Sequence, residues 1–335
     1  MGWKGVVRSM AAASRAAERD RERRQRQYQK RMLAEAKQQA LDDAQDAVEE
    51  YEAYVTGLVH LHAEGLDAID WVAKARTDPP PPPVPSNAHE RKAQIAHDLY
   101  SPSILDKVLR RQDRRMESLR NAIESAKHSD REEYLRAQDA HNTRMRDITA
   151  EKALATALLA LDSQAFLDTI EEADPFSAIS GLGSRIEFNL PAPGIVAATL
   201  HTHGDSIIPK QSVSLLKSGK ASVRDMPKSQ FNKLHQDHVC SAMLKIARDL
   251  FALLPAKAVL VTAKDDLLDG STGHHVSAAI ASFFVPRETF SKLNLERVDP
   301  SDACEKFMHS MDFKPTSGFR AVDPVETPSD WLAER

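Results

Sequence analysis

The stretch that most constrains the fold is Lys228 to Ala263, KSQFNKLHQDHVCSAMLKIARDLFALLPAKAVLVTA. Apolar residues recur in its first two thirds at helical spacing and form a broad stripe, which predicts a helix buried against a sheet. Ser229 is expected to cap this helix, and Pro255 to end it, because proline cannot continue a helix. The β-branched run Ala258 to Ala263 then predicts a central strand. A helix that leads directly into a buried strand is typical of an α+β core.

Upstream of this core the sequence is mostly helical. From Leu41 to His62 apolar residues alternate at spacings of three and four, which predicts a coiled-coil-like heptad seam. The proline run at 78–86, DPPPPPVPS, must interrupt the helix and is expected to form a stiff linker. Helical patterning resumes from about Ala88 to Ala126, so the two seams are predicted to pack as an antiparallel helical hairpin. A dimeric coiled coil would use the same seam, and this alternative stays open.

Beyond about residue 176 the apolar period changes from helical to alternating. Arg185 to Leu190 and Ile195 to His203 are predicted to form a β-hairpin. Short strands are expected at 221–224 and 276–285, and helices at 286–295 and at 299–311, with Asp299 as the N-cap of the second helix. The predicted class is therefore α+β, with a mostly antiparallel sheet of about five strands and helices on one face. The predicted domains are a helical stalk over 1–175, an α+β domain over 176–325 and a tail over 326–335.

Composition narrows the class of protein only modestly. The chain has 335 residues, a net charge of −4 and two cysteines, so neither a disulfide framework nor a cysteine zinc site is expected. A transmembrane helix needs about 20 consecutive apolar residues, and the sequence has no such run. The first residues also lack the apolar centre of a secretory signal. We therefore expect a cytoplasmic protein without a membrane partner.

Positive charge is concentrated at the N-terminus. The first 31 residues contain ten basic and three acidic side chains. Such an arm could neutralise the phosphates of nucleic acid or of a lipid surface. The candidate nucleic-acid-binding residues are Arg15, Arg19, Arg23, Arg24 and Arg26. Because the arginines are distributed around the helix and aromatic residues are scarce, a merely solvated helix start is the alternative interpretation.

A pair of histidines, His201 and His203, is predicted to end a strand. Residues two apart on a strand share one face, so both imidazoles could bind one cation, and zinc is the candidate. On the long helix His235 and His238 are three residues apart, which is also ligand spacing. His238 completes the candidate metal set, and His235 or Asp205 are alternatives to it. Surface histidines at a strand end, and a histidine at the border of an apolar stripe, explain the same residues without metal.

The run HTHGDSIIPKQS resembles the His-x-His segment of the JAMM metalloproteases. The resemblance implies Glu187 as the base, His201 and His203 as zinc ligands and Ser212 as the serine of the motif. The aspartate ligand of that family would fall at Leu215, which cannot bind zinc. The pattern is therefore incomplete, and a JAMM site is not adopted.

The order of parts is similar to a group of uncharacterised bacterial proteins with an N-terminal helical stalk and a C-terminal α+β domain. The likeness runs from MGWKGVVRSM through SLLKSGKASVRDMPKSQF to DPSDACEKFMHSMDFKPTSGFRAV. It implies a bacterial cytoplasmic origin and no particular activity. The sequence also lacks a glycine-rich phosphate loop and a Gly-x-Ser-x-Gly elbow, so no catalytic or cofactor-binding residues are predicted.

The leading hypothesis is a non-enzymatic interaction or scaffold protein, in which a helical hairpin fixed to an α+β domain binds a protein partner or a second copy of itself. One alternative is a metal-dependent hydrolase centred on His201 and His203. The other is a nucleic-acid-binding protein that uses the basic N-terminal arm.

Overall fold

The structure is a computed structural model that describes residues 3–102, 111–176, 179, 184–268 and 270–333. It divides into two compact units, Met1–Asp67 with Thr169–Arg335 (unit 1) and Ala68–Asp168 (unit 2). Unit 2 is therefore a single segment inserted between the two parts of unit 1. The domains expected from the sequence instead follow one another along the chain. No helix within the described ranges is long and apolar enough to cross a membrane.

Unit 1 begins with a single long helix, α1 (Trp3–Val59), followed by a 3₁₀ turn at Leu61–Ala63. In the C-terminal part of α1, Leu58 is buried in an apolar cluster with Ile207, Ile208, Met226 and Leu234, and Tyr51 and Val55 pack beside it. The heptad seam was predicted to pack against the second helical segment. Instead, its C-terminal part packs against the α+β residues of its own unit.

Unit 2 is helical. It contains α2 (Trp71–Ala75), α3 (Ala88–Asp98) and α4 (Gln112–Leu159), and α5 (Ser163–Ala173) follows. Helix α4 packs against α2 and α3. The proline run at 78–86 has no regular secondary structure, as predicted. Part of the predicted second seam, at 103–110, lies outside the described residues.

The remaining elements of unit 1 form two sheets, with the long helix α7 and several short helices between the strands or after them. The strands are β1 (Arg185–Ala192), β2 (Ile195–His201), β3 (Gln211–Leu215), β4 (Ala221–Asp225), β5 (Ala258–Leu268), β6 (His275–Pro286), β7 (Met308–Lys314) and β8 (Gly318–Arg320). The helices are α6 (Gly204–Ile207), α7 (Lys228–Leu253), α8 (Arg287–Phe290), α9 (Pro300–Cys304) and α10 (Ser329–Ala333).

The main sheet has six strands in the order β1-β2-β5-β6-β7-β8, and β3 and β4 form a separate hairpin. Among the described strands of this sheet, β2 and β5 pair in parallel and the other neighbours pair antiparallel. The α+β class is confirmed, but the prediction of about five strands is wrong. Strand β7 lies in a stretch predicted as helix, since the Asp299-capped helix ends at Cys304 and the following residues pair with the edge of β6.

Helix α7 is the central helix predicted from the sequence, and it packs against β5 and β2. It begins at Lys228 with Pro227 in the N-cap position, so the predicted Ser229 cap is wrong. At its other end the Arg287 guanidinium donates hydrogen bonds to the carbonyls of Phe251, Leu254 and Ala256. These bonds satisfy carbonyl groups that the end of a helix leaves unpaired.

One polar stripe of α7, buried except for the half-buried Arg248, holds the C-terminal end of α1 and the residues that follow it. We call this stripe the α7 latch; it consists of His238, Ser241, Lys245, Arg248 and Asp249. His238 Nδ1 donates to the Leu58 carbonyl at 3.0 Å, and Asp249 Oδ1 accepts from the Leu66 N–H at 3.0 Å. Because these side chains bind backbone groups of Leu58 and of the residues that follow α1, they fix the position of the C-terminal end of α1 within unit 1.

Burial around the latch also affects the protonation of two histidines, His238 and His62. Burial lowers the pKa of His238 to about 4, and burial likewise lowers the pKa of His62, whose Nδ1 lies 2.8 Å from Ser241 Oγ. Both imidazoles are therefore neutral near pH 7. Gly65 belongs to the same contact, because a Cβ there would lie 2.8 Å from Asp249 Oδ1 and 2.5 Å from Arg248 Nε.

Candidate functional site

The three predicted metal ligands are not brought together. His201 ends β2, with Nε2 at 3.7 Å from Glu187 Oε2 on β1. The predicted strand would have continued to His203, but His203 lies after it, as the N-cap of α6, so the two histidines do not share a strand face. His238 donates to the α1 backbone instead. In the described part of the chain, the ligand atoms of His201, His203 and His238 do not all lie within 4.8 Å of one another. The alternative ligand Asp205 has no described side chain.

The residues of the incomplete JAMM pattern are divided between two sheets. Glu187 and His201 are neighbours in the main sheet. Ser212 and Leu215 lie on β3 in the two-stranded sheet. The Leu215 side chain is exposed. The neighbouring Glu187 and His201 are thus the part of the pattern that the fold keeps close.

In the described part of unit 2, one group of three side chains could hold a metal ion: His89, Asp130 and Glu133. The Asp130 carboxylate already accepts the N–H groups of His89 at 3.1 Å and Glu90 at 2.8 Å, and so caps α3. Burial acts to raise the pKa of Asp130, but these two backbone bonds outweigh it and leave the pKa below its ordinary value. His89 and Glu133 are exposed. Capping a helix explains this group, and zinc binding there stays open.

The two cysteines lie side by side in unit 1, although they are far apart in the sequence. Both are free and fully buried, Cys240 on α7 and Cys304 on α9. Burial, together with the neighbouring Cys240 thiol, raises the pKa of Cys304 well above its ordinary value. Because the thiolate is the reactive form, Cys304 is not a ready nucleophile.

A cavity of about 420 Å³ opens beyond the carboxyl end of β5. It is lined by residues from five places in unit 1: α7, α6 and the residue before it, β5, the start of β6, and β8 with the residue before it. These residues are His203, Ser206, Phe231, Asn232, His235, Asp265, Asp266, Leu267, His275, Ser317, Gly318 and Phe319. The carboxyl ends of parallel strands are a common place for ligand sites, and here β2 and β5 are the parallel pair.

His235 and Asp265 form the innermost polar pair of this cavity. His235 Nε2 lies 3.3 Å from Asp265 Oδ2, and the two side chains are 13% and 11% exposed. Although this distance is short, His235 Nε2 is buried without a hydrogen-bond partner. The imidazole also contacts Phe319 edge to face, with ring centres 5.2 Å apart. Gly204 lies so close that any Cβ there would overlap the imidazole.

The sequence contained only part of the signal for this cavity. His235 was considered as an alternative metal ligand, but Asp265 and His275 were assigned to a polar loop. In the structure β5 continues to Leu268, so Asp265 is a strand residue. A bulge between Ala263 and Lys264 shifts the strand register just before Asp265. A bulge can re-aim side chains, and its position could not be read from the apolar pattern.

The basic arm is the second candidate site. Every side chain of α1 from Arg19 to Ala40 is exposed. Arg19, Arg23, Arg26, Lys30 and Lys37 follow the same spacing of three and four as the buried seam from Leu41 onward, so they lie on the same face of α1. Arg24 lies on another face, and Arg15 is outside the part of α1 whose side chains are described. From the sequence, the arginines were interpreted as distributed around the whole helix, and this stripe was overlooked.

The tip of the β3–β4 hairpin continues this stripe. Helix α1 packs against β3 and β4, and a Cβ at Gly219 would lie 2.6 Å from Leu41 Cδ2. Gly219 has a φ of +77°, so both its backbone and its contact favour glycine. Lys217 and Lys220, on either side of it, are exposed. We define the basic surface as Arg19, Arg23, Arg26, Lys30 and Lys37 of α1 with Lys217 and Lys220 of the hairpin.

Comparison of the chain with protein-family models, with curated proteins and with solved structures gave no match. The functional argument therefore rests on the geometry and chemistry of these sites.

Proposed function

We propose that the protein is an interaction protein, and that it binds duplex nucleic acid through the phosphate groups along its basic surface. The observation that carries this proposal is the row of exposed cations that leads from Arg19 down one face of α1 to Lys217 and Lys220. Arginine and lysine side chains neutralise phosphates without reading base sequence. The proposed binding is therefore independent of sequence.

The way α1 is held supports the proposal. The α7 latch and the cluster around Leu58 hold the C-terminal end of α1 in unit 1. A helix held at one end presents its other end in a limited range of directions, which reduces the entropy lost on binding. Burial of the stripe within the protein is disfavoured, since taking several cations out of water is costly.

Other partners for the arm have less support. Single-stranded nucleic acid is usually held by stacking on aromatic rings, and Tyr28 is the one aromatic residue from 19 to 40. A helix lying on a lipid surface needs a broad apolar face. Between 19 and 40 the large apolar side chains are limited to Tyr28, Met32 and Leu33.

Self-association through the heptad seam, which is the scaffold form of the proposal, also has less support. Tyr51, Val55 and Leu58 of that seam already pack against unit 1. A second copy, or a second helix of a hairpin, would have to displace this contact. Upstream of Leu41 the same spacing carries mainly cations, with the exposed Leu33 among them, so it does not extend the apolar seam.

The test is the binding of a fluorescent duplex DNA of arbitrary sequence, measured by anisotropy over a series of salt concentrations. We expect the logarithm of the binding constant to fall linearly with the logarithm of salt, by about 0.9 for each phosphate neutralised. Replacing Arg23, Arg26 and Lys30 together by glutamine removes three cations of the basic surface. The slope should then become shallower by about 2 to 3.

A matched variant replaces Arg21, Arg24 and Arg31 by glutamine. It removes the same charge from other faces of the same helix segment and should leave most of the slope in place. Equal losses in the two variants would show that net charge, and not the basic surface, determines binding. No duplex binding at low salt, or binding to anionic vesicles alone, would contradict the proposal.

A further inference from the structure

We infer that the cavity beyond β5 binds a divalent transition-metal ion between His235 Nε2 and Asp265 Oδ2, with His203 as the third protein ligand. Zinc is the ion that this set of nitrogen and carboxylate ligands fits best. The inference concerns a different part of unit 1 from the basic surface and does not depend on the proposed function.

The first argument is the distance between the two ligand atoms. His235 Nε2 and Asp265 Oδ2 are 3.3 Å apart, yet His235 Nε2 makes no hydrogen bond and is buried. In tetrahedral coordination two ligand atoms are separated by about 1.6 times the metal–ligand bond, which gives about 3.3 Å for zinc bonds of about 2.0–2.1 Å. The two atoms are therefore already at the separation that one shared tetrahedral ion requires.

The second argument is that both side chains are held by their surroundings. Asp265 Oδ1 accepts the Asp266 N–H at 2.9 Å, which leaves Oδ2 facing His235. The His235 ring is confined by the edge-to-face contact with Phe319 and by the backbone at Gly204. Orientation of the first ligands by neighbouring groups is a general feature of metal sites, because a preorganised ligand loses little entropy on binding.

The third ligand comes from the residue before Gly204. His203 is exposed and lines the same cavity. Within the described chain its imidazole is not within 4.8 Å of both His235 Nε2 and Asp265 Oδ2. It must therefore rotate inward to reach the ion, which an exposed side chain can do at small cost. The cavity volume of about 420 Å³ leaves room for water at the fourth position, as in zinc sites that keep an open coordination position.

The competing explanation is a simple ion pair between a protonated His235 and Asp265. An ion pair needs no metal and would leave His203 without a role in the cavity. The two explanations predict different results with metal in solution, so they can be separated on the purified protein.

The experiment uses the full chain after treatment with a chelator, titrated with Zn²⁺ by calorimetry and with Co²⁺ by absorption spectroscopy. We expect one ion per chain at the cavity and the intense visible absorption of four-coordinate Co²⁺. Asp265→Asn and His235→Gln should each weaken binding by at least about tenfold. His203→Ala should weaken it as well and change the Co²⁺ spectrum.

His89→Ala is the matched control, because it removes a histidine from the other candidate metal group. It should leave the affinity and the Co²⁺ spectrum unchanged. Absence of binding to the unmodified chain, or equal affinity in Asp265→Asn and the unmodified chain, would overturn the inference. Loss of binding in His89→Ala alone would assign the ion to unit 2 and overturn it too. Circular dichroism of each variant shows whether it folds. If His235→Gln does not fold, Asp265→Asn still tests the inference, because asparagine has nearly the same shape as aspartate.

Discussion

The two parts of α1 share one face of one helix but have opposite environments. From Leu41 to Val59 that face is apolar and covered by residues of the α+β part of unit 1, which include Ile207 and Leu234. From Arg19 to Lys37 the same face is basic, and its side chains are exposed. The helix itself is continuous through both parts.

The difference teaches that side-chain chemistry, and not helix geometry, decides which part of α1 is packed. Removing apolar surface from water is favourable, whereas burying an unpaired cation is strongly unfavourable. The apolar part therefore contributes to stability, and the basic part stays exposed to solvent. Three predictions test this contrast, beginning with the largest effect on stability.

Asp249→Ala should produce the largest loss. The Asp249 carboxylate is fully buried, lies 2.9 Å from Lys245 Nζ and accepts the Leu66 N–H. Its removal leaves a buried ammonium without its counter-charge, which costs about 3–5 kcal/mol. Chemical denaturation of the full chain should show this loss of stability. Asp43→Ala, on an exposed part of α1, removes the same side chain without the contact and should have almost no effect.

Acid should weaken the packed part of α1. Burial lowers the pKa of His238 from 6.5 to about 4. Above pH 6.5 neither the folded nor the unfolded state protonates it, so its effect on stability is constant there. Between pH 6.5 and about 4 only the unfolded state takes up the proton, so stability falls. At about 1.36 kcal/mol per pKa unit the total loss is about 3 kcal/mol, and thermal unfolding measured against pH would show it.

His238→Asn separates this effect from general acid denaturation. The asparagine amide can still donate to the Leu58 carbonyl but does not titrate. The variant should therefore lose less stability on acidification than the unmodified chain. A part of the loss should remain, because burial also lowers the pKa of His62. Identical pH profiles of the two proteins would show that His238 does not carry the effect.

The basic surface should contribute almost nothing to stability. Arg23, Arg26 and Lys30 are exposed, and the Arg26–Glu22 pair, at 3.7 Å, is an exposed pair one helical turn apart. Their joint replacement by glutamine should change the free energy of unfolding by about 0.5 kcal/mol or less. The same variant should bind duplex DNA more weakly, with the shallower salt dependence given above. A large destabilisation would mean that this part of α1 is packed after all.

The sequence predicted the elements whose signal is local. The apolar stripe of α7 and the β-branched start of β5 identified the core, and Asp299 caps the helix that follows it, as predicted. It did not predict β7, because a strand that lies between β6 and β8 depends on its partner strands as much as on its own pattern.

The candidate sites were predicted only in part, for the same reason. The arginines of the basic arm were identified from the sequence. That some of them share a face of α1 with the apolar seam became informative only when the structure showed that the seam packs against the α+β part of unit 1. His238 was expected to bind metal, whereas it holds the end of α1. Asp265 was assigned to a loop, and only the longer β5 and its bulge bring Asp265 to His235.

By itself the sequence determined the α+β class, the long N-terminal helix, the interruption at the proline run and the concentration of positive charge at the start of the chain. These follow from periodicity, backbone restriction and composition, which act between near neighbours. Only the tertiary structure decided that the C-terminal end of α1 packs against α7, that the hairpin tip extends the basic surface, and that His235 lies beside Asp265. Such pairings depend on which distant surfaces bury the most apolar area and satisfy the most polar groups, and neither quantity is encoded in a local pattern.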